Sequence, residues 1–393
     1  MSLQSVIVSA ARTPIGSFQG NLSSVSAVKL GAKVIESALL KSGLKGDQVD
    51  EVIMGNVLTA GEGQAPARQA AIFAGLPNTV ECMTINKVCG SGLKSVMLAD
   101  QAIRCGDANI IIAGGMENMS QAPYYSLESR AGMRLGHKNL LDSIIIDGLW
   151  DPYENTHMGN CAEILAKEDV YTRENQDSFA IESYKRSLAA IDNNLFKDEI
   201  VPVEVLQKKG SPIIIDQDEE PGKGRPDKIS KLRSAFEKDG TITAANASSI
   251  NDGAAALLVM SEARAKVLRL KPICRIIAQT SAAHEPKYFT TAPSKAITKV
   301  LLKAKMQIKD IDLFEINEAF SNVTLSAIRE NSLDHNKVNI FGGAVSLGHP
   351  IGASGARILV TLISALKHKN KKFGLATLCI GGGEAAAVIV EKL

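Results

Sequence analysis

Two periods of hydrophobic and polar positions alternate along most of this chain. Residues 6–10 form a short apolar run, and residues 27–42 carry apolar side chains at helical spacing up to Gly43. Residues 52–57 and 110–113 read as buried strands, with 92–103 as a helix between them. The C-terminal part has the same rhythm: strand-like 313–316, helical 319–329, helical 355–366, strand-like 375–378 and a last strand at 386–390. Strands alternating with helices predict an α/β fold with layered sheets.

The rhythm recurs in register. Val49-Asp50-Glu51-Val52-Ile53-Met54 parallels Ile311-Asp312-Leu313-Phe314-Glu315-Ile316, an offset of 262. Cys89-Gly90-Ser91-Gly92 aligns with Gly352-Ala353-Ser354-Gly355 at 263, and Ala113-Gly114-Gly115-Met116-Glu117 with Ile380-Gly381-Gly382-Gly383-Glu384 at 267. Three matches in order at nearly constant offset predict two similar βαβαβ halves. Between them, residues from about 120 to 248 are polar and irregular, with helix-like stretches at 163–169 and 173–193. Residues 207–233 have the mixed charge and Gly/Pro content of a surface excursion. The expected division is 1–120 with 249–271 as the first half, 121–248 as an inserted loop domain, and 272–393 as the second half.

Composition narrows the function. The chain has 393 residues, 45% hydrophobic, 22% charged and only 4% aromatic, with 32 Gly. Its core must be aliphatic, and its backbones can approach closely. A net charge of +2 provides no field for nucleic acid or an anionic membrane. No apolar stretch reaches the ~18–20 residues of a bilayer span. The start lacks a cationic leader and enters Val6-Ile7-Val8 at once, so a cytoplasmic protein is expected. The six cysteines form neither a CxxC pair nor a zinc-type cluster. As free thiols, most buried cysteines are small apolar fillers.

Four segments could carry chemistry. Cys89 in Asn86-Lys87-Val88-Cys89-Gly90-Ser91-Gly92 sits where a strand turns into a helix, a place where free N–H groups stabilise a thiolate. On that segment alone the catalytic and packing readings weigh equally. His349, in the Gly-rich run 342–355, occupies the duplicated counterpart of that turn, presenting an imidazole as base or donor. Cys379 precedes three glycines whose N–H groups suit an oxyanion hole. Asn317, in Asn317-Glu318-Ala319-Phe320, reads by itself as a helix cap. If the halves are related by a pseudo-twofold, the two helix-start turns face each other across a cleft. Two thiols with different tasks suit a reaction that makes a thioester and then deprotonates a carbon acid.

The motifs NKVCGSG, NEAF, GHPIGASGAR and CIGGGEA, with the runs 6–14, 114–120, 157–159 and 246–255, make the chain resemble the thiolases over nearly its full length, in particular the biosynthetic acetyl-CoA C-acetyltransferases. The resemblance implies duplicated halves in an α/β/α/β/α core. It also implies a reversible Claisen condensation of two acetyl-CoA to acetoacetyl-CoA and CoA. Cys89 would carry the acetyl group and His349 would activate it. Cys379 would deprotonate the second acetyl-CoA, and Asn317 would hold a water at the second oxyanion site. The N–H groups of Cys89 and Gly381 would form the first. Ser248, His157 and Met158 match positions near the pantetheine arm. No metal or redox cofactor is implied, and CoA thioesters are the substrates. A homotetramer built as a dimer of dimers is expected, with 125–147 a candidate for its contacts.

Two stretches depart from the family pattern. Residues 218–225 do not align with the basic loop that meets the nucleotide, leaving Arg225 as a substitute. Tyr288-Phe289-Thr290-Thr291 replaces a smaller sequence near the acyl pocket. The competing readings are a degradative 3-ketoacyl-CoA thiolase with a longer pocket and a decarboxylating condensing enzyme of the same fold. Beyond these stand a non-catalytic acyl-CoA binder, which would be expected to have lost a reactive position, and a dehydrogenase, which lacks its GxGxxG.

Overall fold

The structure, a computed structural model, describes residues 4–393. A ten-stranded sheet runs through it, formed by β1 (Ser5–Arg12), β2 (Gly16–Ser17), β3 (Glu51–Gly55), β4 (Glu81–Ile85), β5 (Ile110–Asn118), β6 (Asn251–Ser261), β7 (Cys274–Ala283), β8 (Leu313–Ile316), β9 (Phe373–Ile380) and β10 (Glu384–Lys392). The strand order is β8-β9-β10-β7-β1-β6-β5-β3-β4, with β2 beside β6. In one half β3 runs parallel to β5, β5 antiparallel to β6, and β6 antiparallel to β1. The other half has the same sequence of directions: β8 parallel to β9, then antiparallel β10 and β7. A lone bridge from Phe314 to Val338 stands where β4 stands in the first half.

The halves meet at β1 and β7, which pair only at Val6 with Arg275 and Ile7 with Cys274. Around that seam the sheet folds over two helices, α3 (Ser91–Cys105) and α8 (Ser354–His368). Helix α3 packs on β3, β5 and β6 and also reaches β10, while α8 packs on β8 and β9 and also on β5 and β6. The helices α1 (Ala27–Ser42) and α2 (Pro66–Phe73) cover the outer face of the first half, and α6 (Ala292–Ala304) covers that of the second. Five layers result, with α3 and α8 in the middle. Thirteen of the fifteen residues of α8 are buried, which is why its sequence is apolar on nearly every face.

The duplicated glycines explain how the middle layer closes. A Cβ on Gly92 would lie 2.7 Å from the backbone N of Ala356, and one on Gly355 would lie 2.3 Å from the N of Leu93. The helix-start turns are therefore in direct contact, closer than two motifs facing across a cleft.

Strands β4, β6 and β7 and helices α2 and α6 lie in stretches where no regular element was expected. The helix after Asn317 begins at Ser321 and is α7 (Ser321–Glu330). Residues 121–248 hold α4 (Met158–Glu168) and α5 (Arg173–Asp192). Residues 207–233 differ from a simple surface excursion, since Asp218, Pro221 and Ile229 are buried. Asp218 is buried and takes two guanidinium N–H bonds from Arg12, at 2.6 and 2.8 Å, while Arg12 Nε donates to Glu199. Arg12 is itself fully buried, so these carboxylates, with Thr13 O at 3.1 Å, take the place of its water.

Replacing Gly355 by Ala should destabilise the fold by about 1–3 kcal/mol, because neither backbone can yield. Gly222, with nothing near its Cβ position, is the control and should change stability by less than about 0.5 kcal/mol on substitution. Urea unfolding compares them, and equal midpoints would refute the close-contact account.

Candidate active site

The turn before α3 is held by its own side chains. Ser91 Oγ accepts from Lys87 N and donates to Val88 O, and Asn86 Oδ1 accepts from Val88 N. Val88 adopts φ +46°, a left-handed value costly for a β-branched residue. The strain is confined to the residue that delivers Cys89. Lys87 forms an ion pair with Glu384, tying this turn to the Gly381–Gly383 loop of the other half.

Burial pushes the Cys89 thiol up to about 11, opposed by the N–H groups of Gly381 and of Cys89 itself and reinforced by the charge of Glu117. Gly381 lines the same cavity as the Cys89 thiol. Cys379, 1% exposed at the end of β9, is held well above the usual thiol range by burial and then by the Cys89 charge.

His349 is buried with Nε2 unpartnered. Its Nδ1 is hydrogen-bonded to Ser354 Oγ. Ser354 Oγ donates its own proton to Pro350 O at 2.8 Å, so it accepts from Nδ1–H. That fixes the tautomer and leaves the Nε2 lone pair free. Burial, then the nearby Arg357 charge, lowers His349 to about 3, so the ring is neutral and can accept a proton. Ser354 is the duplicated counterpart of Ser91, and the motif alignment contained the only sequence signal for it.

Cys89, His349, Cys379 and Gly381 line one mostly apolar cavity of roughly 370 Å³. The candidate binding residues His157, Met158 and Ser248 line it as well. His157 caps α4, its Nδ1 accepting from Gly159 N at 3.0 Å, and its ring stacks on Phe236 at 4.9 Å. Phe236 and Phe289 both pack edge-on against Phe320 at 6.1 Å, forming an aromatic wall in which Phe236 lies outside every motif.

Two predicted residues lie elsewhere. Asn317 is fully buried just past β8, behind the cavity lining. It caps no helix: Oδ1 meets Arg357 at 3.4 Å and Nδ2 has no protein partner. Arg225 is exposed, starting a 3₁₀ turn away from the cavity.

Comparison with known proteins adds the chain's relatives. The family description "Thiolase, N-terminal domain" matches residues 5–263, and "Thiolase, C-terminal domain" matches 270–392. An acetyl-CoA acetyltransferase of Pseudomonas aeruginosa is 53% identical over 98% of this chain and 99% of its own length. One from Yarrowia lipolytica is 52% identical over 98% of this chain and 96% of its own. A thiolase from Ascaris suum, solved in complex with coenzyme A, superposes with a TM-score of 0.94 at 45% identity, covering 99% of this chain and all of the other. The acetyl-CoA acetyltransferase of Bacillus anthracis gives 0.97 at 40% identity over the whole of this chain and 99% of its own.

The raised thiol and neutral imidazole make a kinetic prediction. Alkylation of Cys89 by iodoacetamide, followed on the Cys89 peptide by mass spectrometry, should climb about tenfold per pH unit from pH 7 to 9. A plateau below pH 8 would instead reveal a preformed thiolate–imidazolium pair.

Proposed function

The chain belongs to the thiolase family, and on that premise we propose that it catalyses the reversible condensation of two acetyl-CoA to acetoacetyl-CoA and CoA through an acetyl-Cys89 intermediate. The observation that carries this reading is the convergence of two thiols, an imidazole with a free Nε2 and the Gly381 turn on one apolar cavity.

In the first half-reaction His349 Nε2 takes the Cys89 proton as Sγ attacks the thioester carbonyl. The N–H groups of Cys89 and Gly381 receive the oxyanion. CoA leaves and takes the proton from His349. In the second, Cys379 lends its proton to His349, whose Nε2–H then bonds the thioester oxygen of the incoming acetyl-CoA. Cys379 takes the α-proton, the enolate attacks the acetyl carbon, and Cys89 departs and recovers the proton from His349. Asn317, with its unsatisfied Nδ2, is our candidate for holding a water beside the second oxyanion.

His157, Met158 and Ser248 would flank the pantetheine arm. The exposed Arg225 is left for the nucleotide phosphates outside the cavity. The inserted segment 121–248 would bear CoA and the contacts of a homotetramer, and the six free thiols suit a cytoplasmic setting. The aromatic wall of Phe236, Phe289 and Phe320 supports a short acyl group over longer 3-ketoacyl chains.

Incubation with acetyl-CoA should leave an acetyl group on Cys89, and Cys89→Ala should abolish condensation and thiolysis. Turnover of that variant at the wild-type rate would sink the reading. Cys379→Ala should still acetylate and exchange CoA while losing condensation by about 10²–10⁴-fold. Across a chain-length series, acetoacetyl-CoA should be thiolysed fastest, and faster cleavage of longer 3-ketoacyl-CoAs would favour the degradative alternative.

A further inference from the structure

Glu117, near the end of β5, is fully buried, and four N–H groups converge on its carboxylate. Oε1 accepts from Asn56 Nδ2 at 2.9 Å and Leu58 N at 3.1 Å, while Oε2 accepts from Val57 N at 3.1 Å. These three belong to the loop after β3. The fourth comes from the other half: Gly352 N donates to Oε2 at 2.8 Å, from the turn between His349 and α8. A Cβ on Gly352 would lie 2.6 Å from Oε2 and 3.0 Å from Asn56 Cα, so the turn is pressed directly onto the carboxylate.

Only a carboxylate can serve all four donors, because each of its oxygens accepts two bonds. No lysine or arginine hydrogen-bonds to it among the described residues. The ionisable groups that feel its charge are Glu62, in the same loop, and Cys89, at the start of α3. A buried carboxylate without a cation is a costly way to fasten a loop. The turn so fastened carries His349.

We propose that Glu117 is a positioning residue that clamps the 349–352 turn of the second half against the Cys89 turn of the first, setting the His349 imidazole against the thiol. The clamp rests on the reading of Cys89 and His349 as nucleophile and base. Burial without a cation raises the Glu117 carboxyl to about 7 despite its four donors, which fits a group held for geometry at some cost in charge.

Glu117→Gln keeps the volume but offers one acceptor oxygen. Asn56 can flip to meet the new amide, since its Oδ1 is unpartnered. The readout is single-turnover acetylation of Cys89 by acetyl-CoA. The expected result is a fall of about thirtyfold or more in rate, with KM in steady state changed less than about threefold. Because Glu117 acts through His349, adding Glu117→Gln to a His349→Ala background should slow acetylation less than about threefold further, whereas a merely structural defect would multiply. A folded Glu117→Gln protein acetylated at more than a third of the wild-type rate overturns the proposal. So does full multiplication in the double variant. If Glu117→Gln does not fold, Asn56→Ala, which removes one donor of four, should slow acetylation by about fivefold at unchanged KM, and a wild-type rate there overturns it equally. Wild-type protein that acquires no acetyl group overturns the functional reading and the clamp together, an outcome distinct from failure of the clamp alone.

Discussion

The contact of α3 with α8 at Gly92 and Gly355 fixes how closely the Cys89 and His349 turns approach. Both helices begin at turns that carry reactive groups, and both are sandwiched between the two half-sheets. Any Cβ at either glycine would push the helices apart. The thiol and the imidazole come from residues 260 positions apart in the chain. Their separation is therefore decided by how closely two backbones can approach.

Around that contact the two halves are tied by polar groups, most of them buried. Lys87 pairs with Glu384, Glu117 holds Gly352, and Asn251 Oδ1 accepts from His349 N at 2.8 Å. Arg12 joins β1 to residues 199 and 218 through the carboxylates of Glu199 and Asp218. Buried ion pairs contribute little net stability, since desolvation offsets most of their attraction. Their directional bonds do fix how the elements sit against one another, and that is what a site assembled from both halves requires.

The same dryness governs the chemistry. Burial raises both thiols and depresses the imidazole, so the resting groups are neutral. The unpartnered Nε2 of His349 lines the same cavity as the Cys89 thiol and can accept a proton. Such a site stores no thiolate to be spent on adventitious electrophiles. It becomes reactive when a thioester carbonyl is in place to receive the charge.

The repeated motifs determined the duplicated α/β architecture and singled out Cys89, His349 and Cys379, because local patterning and turn chemistry are properties of short segments. They also aligned Ser91 with Ser354, but not the different tasks these serines perform. Strands β6 and β7 went unpredicted, since long apolar runs such as 251–261 carry no period that separates a buried strand from a buried helix. Asn317 read as a cap on local grounds, and only the packing of Arg357 against it shows it buried and uncapped. The tautomer of His349, the aromatic wall around Phe320 and the four donors on Glu117 were decided by tertiary structure alone. Each depends on groups brought together from distant parts of the chain, and a sequence records which groups exist but not how near folding brings them.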